Sequence, residues 1–202
     1  MGKLKIHILI IYNSIPAPIY GVLSAVVGLV GDIIAIALFP TFNFNHMISA
    51  LGAGPGALYF NMGTILSGLF ALLFYLYLIE VIGKETNDPK QQKVGRFFAI
   101  NSCIFFSLVG GFPTSTNTIL FVLHGTFALI SWLSAIIYLS IFSKLIFKNK
   151  VLPKFFAYLA LITVGTIIVF LLTWIPIIEW IMALAITVWI TLPSVYMLYR
   201  KI

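Results

Sequence analysis

Charged side chains are scarce in this sequence. Only 8% of its 202 residues are Asp, Glu, Lys or Arg, while 61% are hydrophobic, and a water-soluble domain normally carries about 25% charged residues. A chain with so little charge cannot cover its surface with polar groups, so a water-soluble fold is excluded and lipid is the expected solvent. Six membrane helices would occupy roughly 120 positions. No separate soluble domain fits beside them, and residues 1–202 are predicted to form a single membrane domain.

Cysteine is almost absent as well. Cys103 is the single cysteine, so an intramolecular disulfide is excluded, and its place in an apolar run favours a packing role. The sequence also lacks a Gly-rich phosphate loop, paired Cys/His zinc spacing and heptad repeats. These absences remove nucleotide-binding loops, zinc ribbons and coiled coils from consideration.

The apolar runs predict an all-α fold, a polytopic six-transmembrane-helix bundle. Each run is long enough to cross about 30 Å of hydrocarbon as a helix. Because only Pro176 separates the last two spans, we expect them to form a tight antiparallel hairpin. The predicted spans are residues 18–39, 56–82, 94–112, 118–142, 153–175 and 177–199.

Lys and Arg are missing from three of the five loops. All 12 basic residues lie before the first span, after the sixth, or in and next to the loops that join the second span to the third and the fourth to the fifth. Because loops rich in Lys and Arg stay in the cytoplasm, both termini are predicted to be cytoplasmic and the protein to lie in the cell membrane. The same clustering excludes a nucleic-acid surface, despite the formal charge of +7.

The N-terminal residues resemble a short signal peptide, with a basic start followed by an apolar stretch. That stretch, residues 6–12, is shorter than most signal-peptide cores. Pro16 and Pro18 follow where a cleavage site would be needed. We therefore expect an uncleaved lead-in on the membrane surface.

Ionisable residues inside the spans are few, and each is a candidate functional residue because burying charge in lipid is costly. Asp32 lies about 10 Å below the outer end of the first span at 1.5 Å per residue. It shares a helix face with Gly21, Ala25 and Gly28, and such small residues mark close helix contacts. His124 has a similar depth and a similar small-residue face in the fourth span. Both side chains are predicted to point into the bundle.

Further polar residues fall at the same height. Asn61 is in the second span, Glu179 begins the sixth, and the outer segment 42–56 carries His46 and Ser49 without any charge. We predict a polar layer, a pocket open to the outside, formed by five residues: Asp32, His46, Asn61, His124 and Glu179.

Structural explanations exist for the same residues. His124 could serve only as a buried hydrogen-bonding group, His46 only as a solvated loop residue, and Glu179 only as a charge at a helix N-terminus. Asp32 and His124 could form a purely structural pair. The sequence leaves these alternatives open.

Several short motifs resemble a prokaryotic membrane family of unknown function, number nine-nine-eight among such families. The motifs are Ile48–Ala53, Asn61-Met62-Gly63 with Gly68, and Val109–Pro113 leading to His124-Gly125. The resemblance covers roughly residues 18–199. It implies a six-helix bundle, a distant relation to the Frag/DRAM/Sfk group of six-span proteins, and recurrent polar positions at Ser49, Asn61 and His124. It implies no mechanism, because the family's biochemistry is uncharacterised.

The leading functional hypothesis is binding of a membrane lipid or lipid-like amphiphile in the outer polar pocket, with His46, Asn61 and Glu179 as ligand-binding residues. An enzymatic version would modify the amphiphile. It would use His124 as a base oriented by Asp32, with Ser49 or water as the nucleophile. The sequence does not decide between binding and catalysis, and no cofactor is assigned.

Three alternatives remain at this stage. The first is a non-enzymatic subunit or transporter component, associated with other membrane subunits, whose polar layer is structural. The second is a metal site formed by His46, His124, Asp32 and Glu179, whose spacing is not diagnostic, so no metal is assigned. The third is a redox subunit with haem between two histidines.

Overall fold

The computed structural model describes residues 16–84, 86, 88–114 and 117–202. These residues form six long α-helices and one short 3₁₀ helix, with no strand among them. The predicted N-terminal lead-in lies outside the described residues. The elements are α1 (Ile19–Ala37), the 3₁₀ helix (Ile48–Ala53), α2 (Ala57–Lys84), α3 (Pro89–Gly111), α4 (Thr118–Lys148), α5 (Phe155–Thr173) and α6 (Pro176–Arg200).

All six α-helices are long and apolar enough to cross a membrane, so this is a multi-pass membrane protein, as predicted. Helix is the form expected in lipid because each segment satisfies its own backbone hydrogen bonds. Two helices extend well beyond the predicted spans: α3 begins at Pro89 rather than residue 94, and α4 continues to Lys148 rather than residue 142. Apolar runs mark only the part of a helix inside lipid. The helical hydrogen bonds continue through the lysine-containing turns.

Local sequence explains two helix starts. Asp88 caps α3 by accepting a hydrogen bond from the backbone N–H of Gln91 at 3.2 Å, with Pro89 at the first helical position, where its missing N–H costs nothing. Pro176 has the same role in α6, so it belongs to the helix rather than separating two helices. The turn before it is made by Trp174, which adopts a left-handed conformation with φ of 52°.

The helices form a ring in chain order. Each α-helix packs against the next, and α6 packs against α1 to close the ring. Contacts between α1 and α2 run from Ser24 with Ser67 to Gly31 with Gly63, which shows that these neighbours are antiparallel. The ring has a basic end, where α2 meets α3 and α4 meets α5. At the opposite end, called here the 3₁₀ end, lies the 3₁₀ helix.

The closest contact between α1 and α2 is made by two glycines. A Cβ added to Gly31 would lie 2.7 Å from the backbone oxygen of Tyr59 and 3.1 Å from the Cα of Gly63. A Cβ added to Gly63 would lie 3.0 Å from the backbone oxygen of Val27. Small residues allow such backbone approach in membrane helices. This contact holds α1 in the position from which Asp32 borders the interior.

Candidate functional site

The ring encloses a cavity of about 180 Å³. Its wall is formed by α1, the 3₁₀ helix, α2, α3, α4 and α6, whereas α5 contributes no side chain. The cavity therefore lies between the other five helices of the ring, with the 3₁₀ helix at one end.

The wall changes in character along the cavity. At the 3₁₀ end it carries four polar side chains: Asp32, Ser49, His124 and Glu179. In the middle it carries serines, and toward the basic end the rings of Tyr75 and Tyr138, whose centroids are 5.1 Å apart, lie near Cys103. The cavity wall is thus polar at the 3₁₀ end and largely apolar toward the basic end.

Glu179 anchors the 3₁₀ helix. Its carboxylate oxygen Oε2 accepts a hydrogen bond from the backbone N–H of Ile48 at 2.6 Å, across 131 residues of sequence. Both the backbone N–H and the hydroxyl of Ser49 also interact with this carboxylate. Glu179 is only 3% exposed. Glu179 does lie in the first turn of α6, as a residue at a helix N-terminus would, and its buried carboxylate also binds the loop.

Asn61 supports the 3₁₀ helix from α2. Its amide donates a hydrogen bond to the backbone oxygen of Gly52 at 3.1 Å. A Cβ at position 52 would lie 2.9 Å from Oδ1 of Asn61, so a larger residue there would require the Asn61 side chain to shift. Leu51, which precedes Gly52 in the 3₁₀ helix, is fully buried and packs with Ala35 and Phe60. Asn61 does not line the cavity. The structure therefore places it in the support of the loop.

His124 links α4 to the end of α3. Its Nδ1 lies 2.9 Å from the backbone oxygen of Phe112. Because a carbonyl oxygen only accepts, Nδ1 carries the proton of this hydrogen bond, and in the neutral ring Nε2 is the acceptor. The residue is buried and borders the cavity. The predicted buried histidine with an interhelical hydrogen bond is therefore present.

Asp32 borders the cavity from α1. Within residues 16–84, 86, 88–114 and 117–202, its carboxylate accepts no hydrogen bond and forms no ion pair. It shares the cavity with His124 but is not bonded to it. The predicted Asp32–His124 pair is thus not formed here, because α1 and α4 occupy separate places in the ring and His124 uses Nδ1 on Phe112.

His46 lies outside the cavity. Its side chain is exposed in the loop after α1 and stacks on Phe42 with ring centroids 5.4 Å apart. The indole of Trp180 donates a hydrogen bond to the backbone oxygen of His46 at 3.1 Å. The loop is thereby attached to α6 by an aromatic cluster, and His46 does not join the other polar residues.

These positions bear on the metal and haem alternatives. Among the described residues, no group of three or more His, Cys, Asp and Glu side chains is arranged to hold a metal ion. The haem alternative requires two facing histidines, and in the described part of the chain only His124 borders the cavity.

Serine pairs around the cavity are a feature that the sequence did not indicate. Ser24 of α1 donates to the backbone oxygen of Ser67 in α2 at 2.9 Å. Ser102 of α3 and Ser131 of α4 each donate to the backbone oxygen of the other, at 3.0 and 2.9 Å. Serine is common in membrane helix interfaces, so single serines carry little signal. Their equal heights on adjacent spans would have been the available clue.

A sequence profile of a family described as "Protein of unknown function (DUF998)" matches residues 22–196. The chain belongs to the DUF998 family. This confirms the resemblance noted from the motifs. No curated protein and no solved structure matches the chain.

The motifs of this DUF998 protein have a common structural basis. Ser49 interacts with Glu179, and Gly52 contacts Asn61. A Cβ at Gly68 would lie 2.9 Å from the backbone oxygen of Cys103, so this glycine permits close contact of α2 with α3. The motifs therefore build the 3₁₀ end of the cavity and the helix contacts that support it.

Proposed function

We propose that this DUF998 protein binds a membrane lipid or lipid-like amphiphile in the cavity, with the polar head at the 3₁₀ end. The observation that carries the proposal is the cavity of about 180 Å³ with Asp32, Ser49, His124 and Glu179 grouped at one end. Binding sites for small molecules are usually apolar cavities with a few convergent polar groups. The largely apolar remainder suits an acyl chain.

The position of α1 supports entry from the lipid phase. Leu29 is 43% exposed on the outside of the bundle and also borders the cavity. Of the neighbouring helix pairs in the ring, α1 and α6 pack least extensively. They are in close contact at Gly21 and Ser194 near the basic end, whereas their halves nearer the 3₁₀ end both border the cavity. An acyl chain would pass between these halves.

The proposal includes an orientation. All Lys and Arg of residues 16–84, 86, 88–114 and 117–202 lie toward the basic end, and basic loops remain in the cytoplasm. The 3₁₀ end with its polar side chains would then lie in the outer leaflet of the cell membrane, at the depth of lipid headgroups.

Binding is proposed here rather than catalysis. A base formed by His124 and Asp32 would need the carboxylate to orient the ring, and Nδ1 of His124 is bonded to Phe112 instead. The hydroxyl of Ser49 interacts with Glu179. These contacts hold the 3₁₀ end together and leave Asp32 facing the cavity.

Native mass spectrometry of protein extracted in mild detergent tests the proposal. Ala128 borders the cavity, while the adjacent Leu129 faces outward on the same helix. Wild type and Leu129→Phe should retain a bound amphiphile, whereas Ala128→Phe, which fills the cavity, should lose it. Equal retention by all three proteins, or no retention by wild type, would contradict the proposal. Thermal melting confirms that both variants are folded.

A second measurement uses wild type alone. Cys103 is the single cysteine of the chain and borders the cavity. An added monoacylglycerol should slow its reaction with N-ethylmaleimide in nanodiscs. A Cys103→Ala protein provides the background.

A further inference from the structure

The charge of the cavity wall differs in sign from that of the protein as a whole. The formal charge of the chain is +7, yet the side chains that border the cavity include two carboxylates, Asp32 and Glu179, and no Lys or Arg among the described residues. Every Lys and Arg that the structure describes lies toward the opposite, basic end. A ligand head at the 3₁₀ end therefore meets two acidic side chains and, among the described residues, no Lys or Arg.

The two carboxylates differ in their partners. Glu179 is bound by the backbone N–H of Ile48 and by Ser49. Asp32 has neither a hydrogen bond nor an ion pair within the part of the chain that the structure describes. A carboxylate inside a membrane protein is costly unless it is paired. Asp32 is therefore the group that gains most from a cationic ligand.

Aromatic rings form part of the same wall. Phe60, Phe106 and Trp132 border the cavity from three different helices. Aromatic faces attract ammonium groups, and cages of such rings recognise quaternary ammonium ligands. An aromatic wall of this kind suits a cationic head better than an anionic one.

We infer that the cavity selects amphiphiles with a positively charged, amine-bearing or quaternary ammonium head, and that Asp32 is their counter-ion. This inference rests on the proposed function, since it names the class of amphiphile for the same cavity. Anionic heads such as phosphomonoesters or sulfates are disfavoured, because the described cavity wall offers them acidic side chains and no Lys or Arg to bind them.

The test uses three probes that share one alkyl chain and differ in head charge: decyltrimethylammonium, decanol and decyl sulfate. Each is added at equal membrane mole fraction to the full-length protein in nanodiscs of uncharged lipid. The measured quantity is the probe concentration that halves the rate of Cys103 labelling by N-ethylmaleimide. We expect this concentration to be about tenfold lower for the cation than for decanol, and highest for the sulfate.

Variants of Asp32 identify the counter-ion. Asp32→Asn should remove the advantage of the cation over decanol, and Asp32→Glu should keep that advantage. Thermal melting shows that both variants are folded.

The outcomes are distinguishable. Absence of protection by all three probes would overturn the proposed function. Equal protection by the three, or strongest protection by decyl sulfate, would overturn charge selection and leave amphiphile binding intact. A cation advantage that survives Asp32→Asn would show that Asp32 is not the counter-ion.

Discussion

The contact between Gly31 and Gly63 allows a prediction about stability. In α1 glycine can be replaced by alanine both at Gly31, where a Cβ would clash, and at Gly28, where a Cβ has room. In Gly31→Ala the new Cβ would lie 2.7 Å from the backbone oxygen of Tyr59. Reaching an ordinary contact near 3.5 Å would require α1 and α2 to separate by several tenths of an ångström. In Gly28→Ala the new Cβ would lie 3.4 Å from Oγ of Ser67, which is already an ordinary contact.

The expected magnitudes follow from this difference. Overpacking costs about 1–3 kcal/mol, and the obstructing atoms at Gly31 are backbone atoms that cannot rotate away. Replacing glycine by alanine inside a helix returns about 0.5–1 kcal/mol. Gly31→Ala should therefore lose about 1–2 kcal/mol net, whereas Gly28→Ala should be neutral or slightly stabilising.

The assay is thermal unfolding of purified protein in one detergent, with retention of the monodisperse fraction as the signal. Gly165 in α5 provides a second control, because a Cβ there meets nothing within 4 Å. Gly31→Ala should melt below wild type, and the two controls should melt at or above it. If Gly31→Ala melts with the controls, the proposed α1–α2 contact is refuted.

Two further predictions concern the 3₁₀ end and the orientation. Glu179→Ala removes the acceptor of the Ile48 N–H, and a hydrogen bond to a charged group contributes about 1.5–3 kcal/mol. Hydrogen exchange at residues 48–53 should therefore accelerate, with Glu80→Ala at the basic end as a matched control, and unchanged exchange would contradict the anchoring role. In a Cys103→Ala background, a cysteine at the exposed Asn45 should react with an impermeant thiol reagent on intact cells, and one at the exposed Lys90 should not. Labelling of position 90 from outside would reverse the orientation.

The six helices were predictable because the signal is physical and local. A run of about 20 apolar residues has few alternatives to a membrane helix. The helical rise per residue also predicted that Asp32, His124 and Glu179 lie at the same depth in the membrane, and all three border the cavity. The helix ends were less predictable, because α3 and α4 continue through residues that hydropathy alone assigns to loops.

The contacts between elements could not be obtained in this way. Periodicity marked the face of Gly21, Ala25 and Gly28 as the tight side of α1. Gly21 does lie close against Ser194 of α6, but the closest backbone approach to α2 is made by Gly31, which that pattern did not include. Equal height suggested that Asp32 and His124 pair, but the order of the helices around the ring decides which groups meet. The partner of Glu179 lies 131 residues away in the chain, and no local pattern indicates it.

The ring order has a consequence for synthesis in the membrane. Contacts between successive helices are available as soon as each helix emerges, because α1 to α5 pack in chain order. The seam between α1 and α6 is different, since it joins the two ends of the fold. Proteins are made from the N-terminus, so the carboxylate of Glu179 arrives only with the last helix. Until α6 is inserted, the 3₁₀ helix lacks its anchor and the cavity lacks one wall. Insertion of α6 therefore closes a cavity that the first five helices leave open on one side. If translation stopped before α6, this open side would face the bilayer.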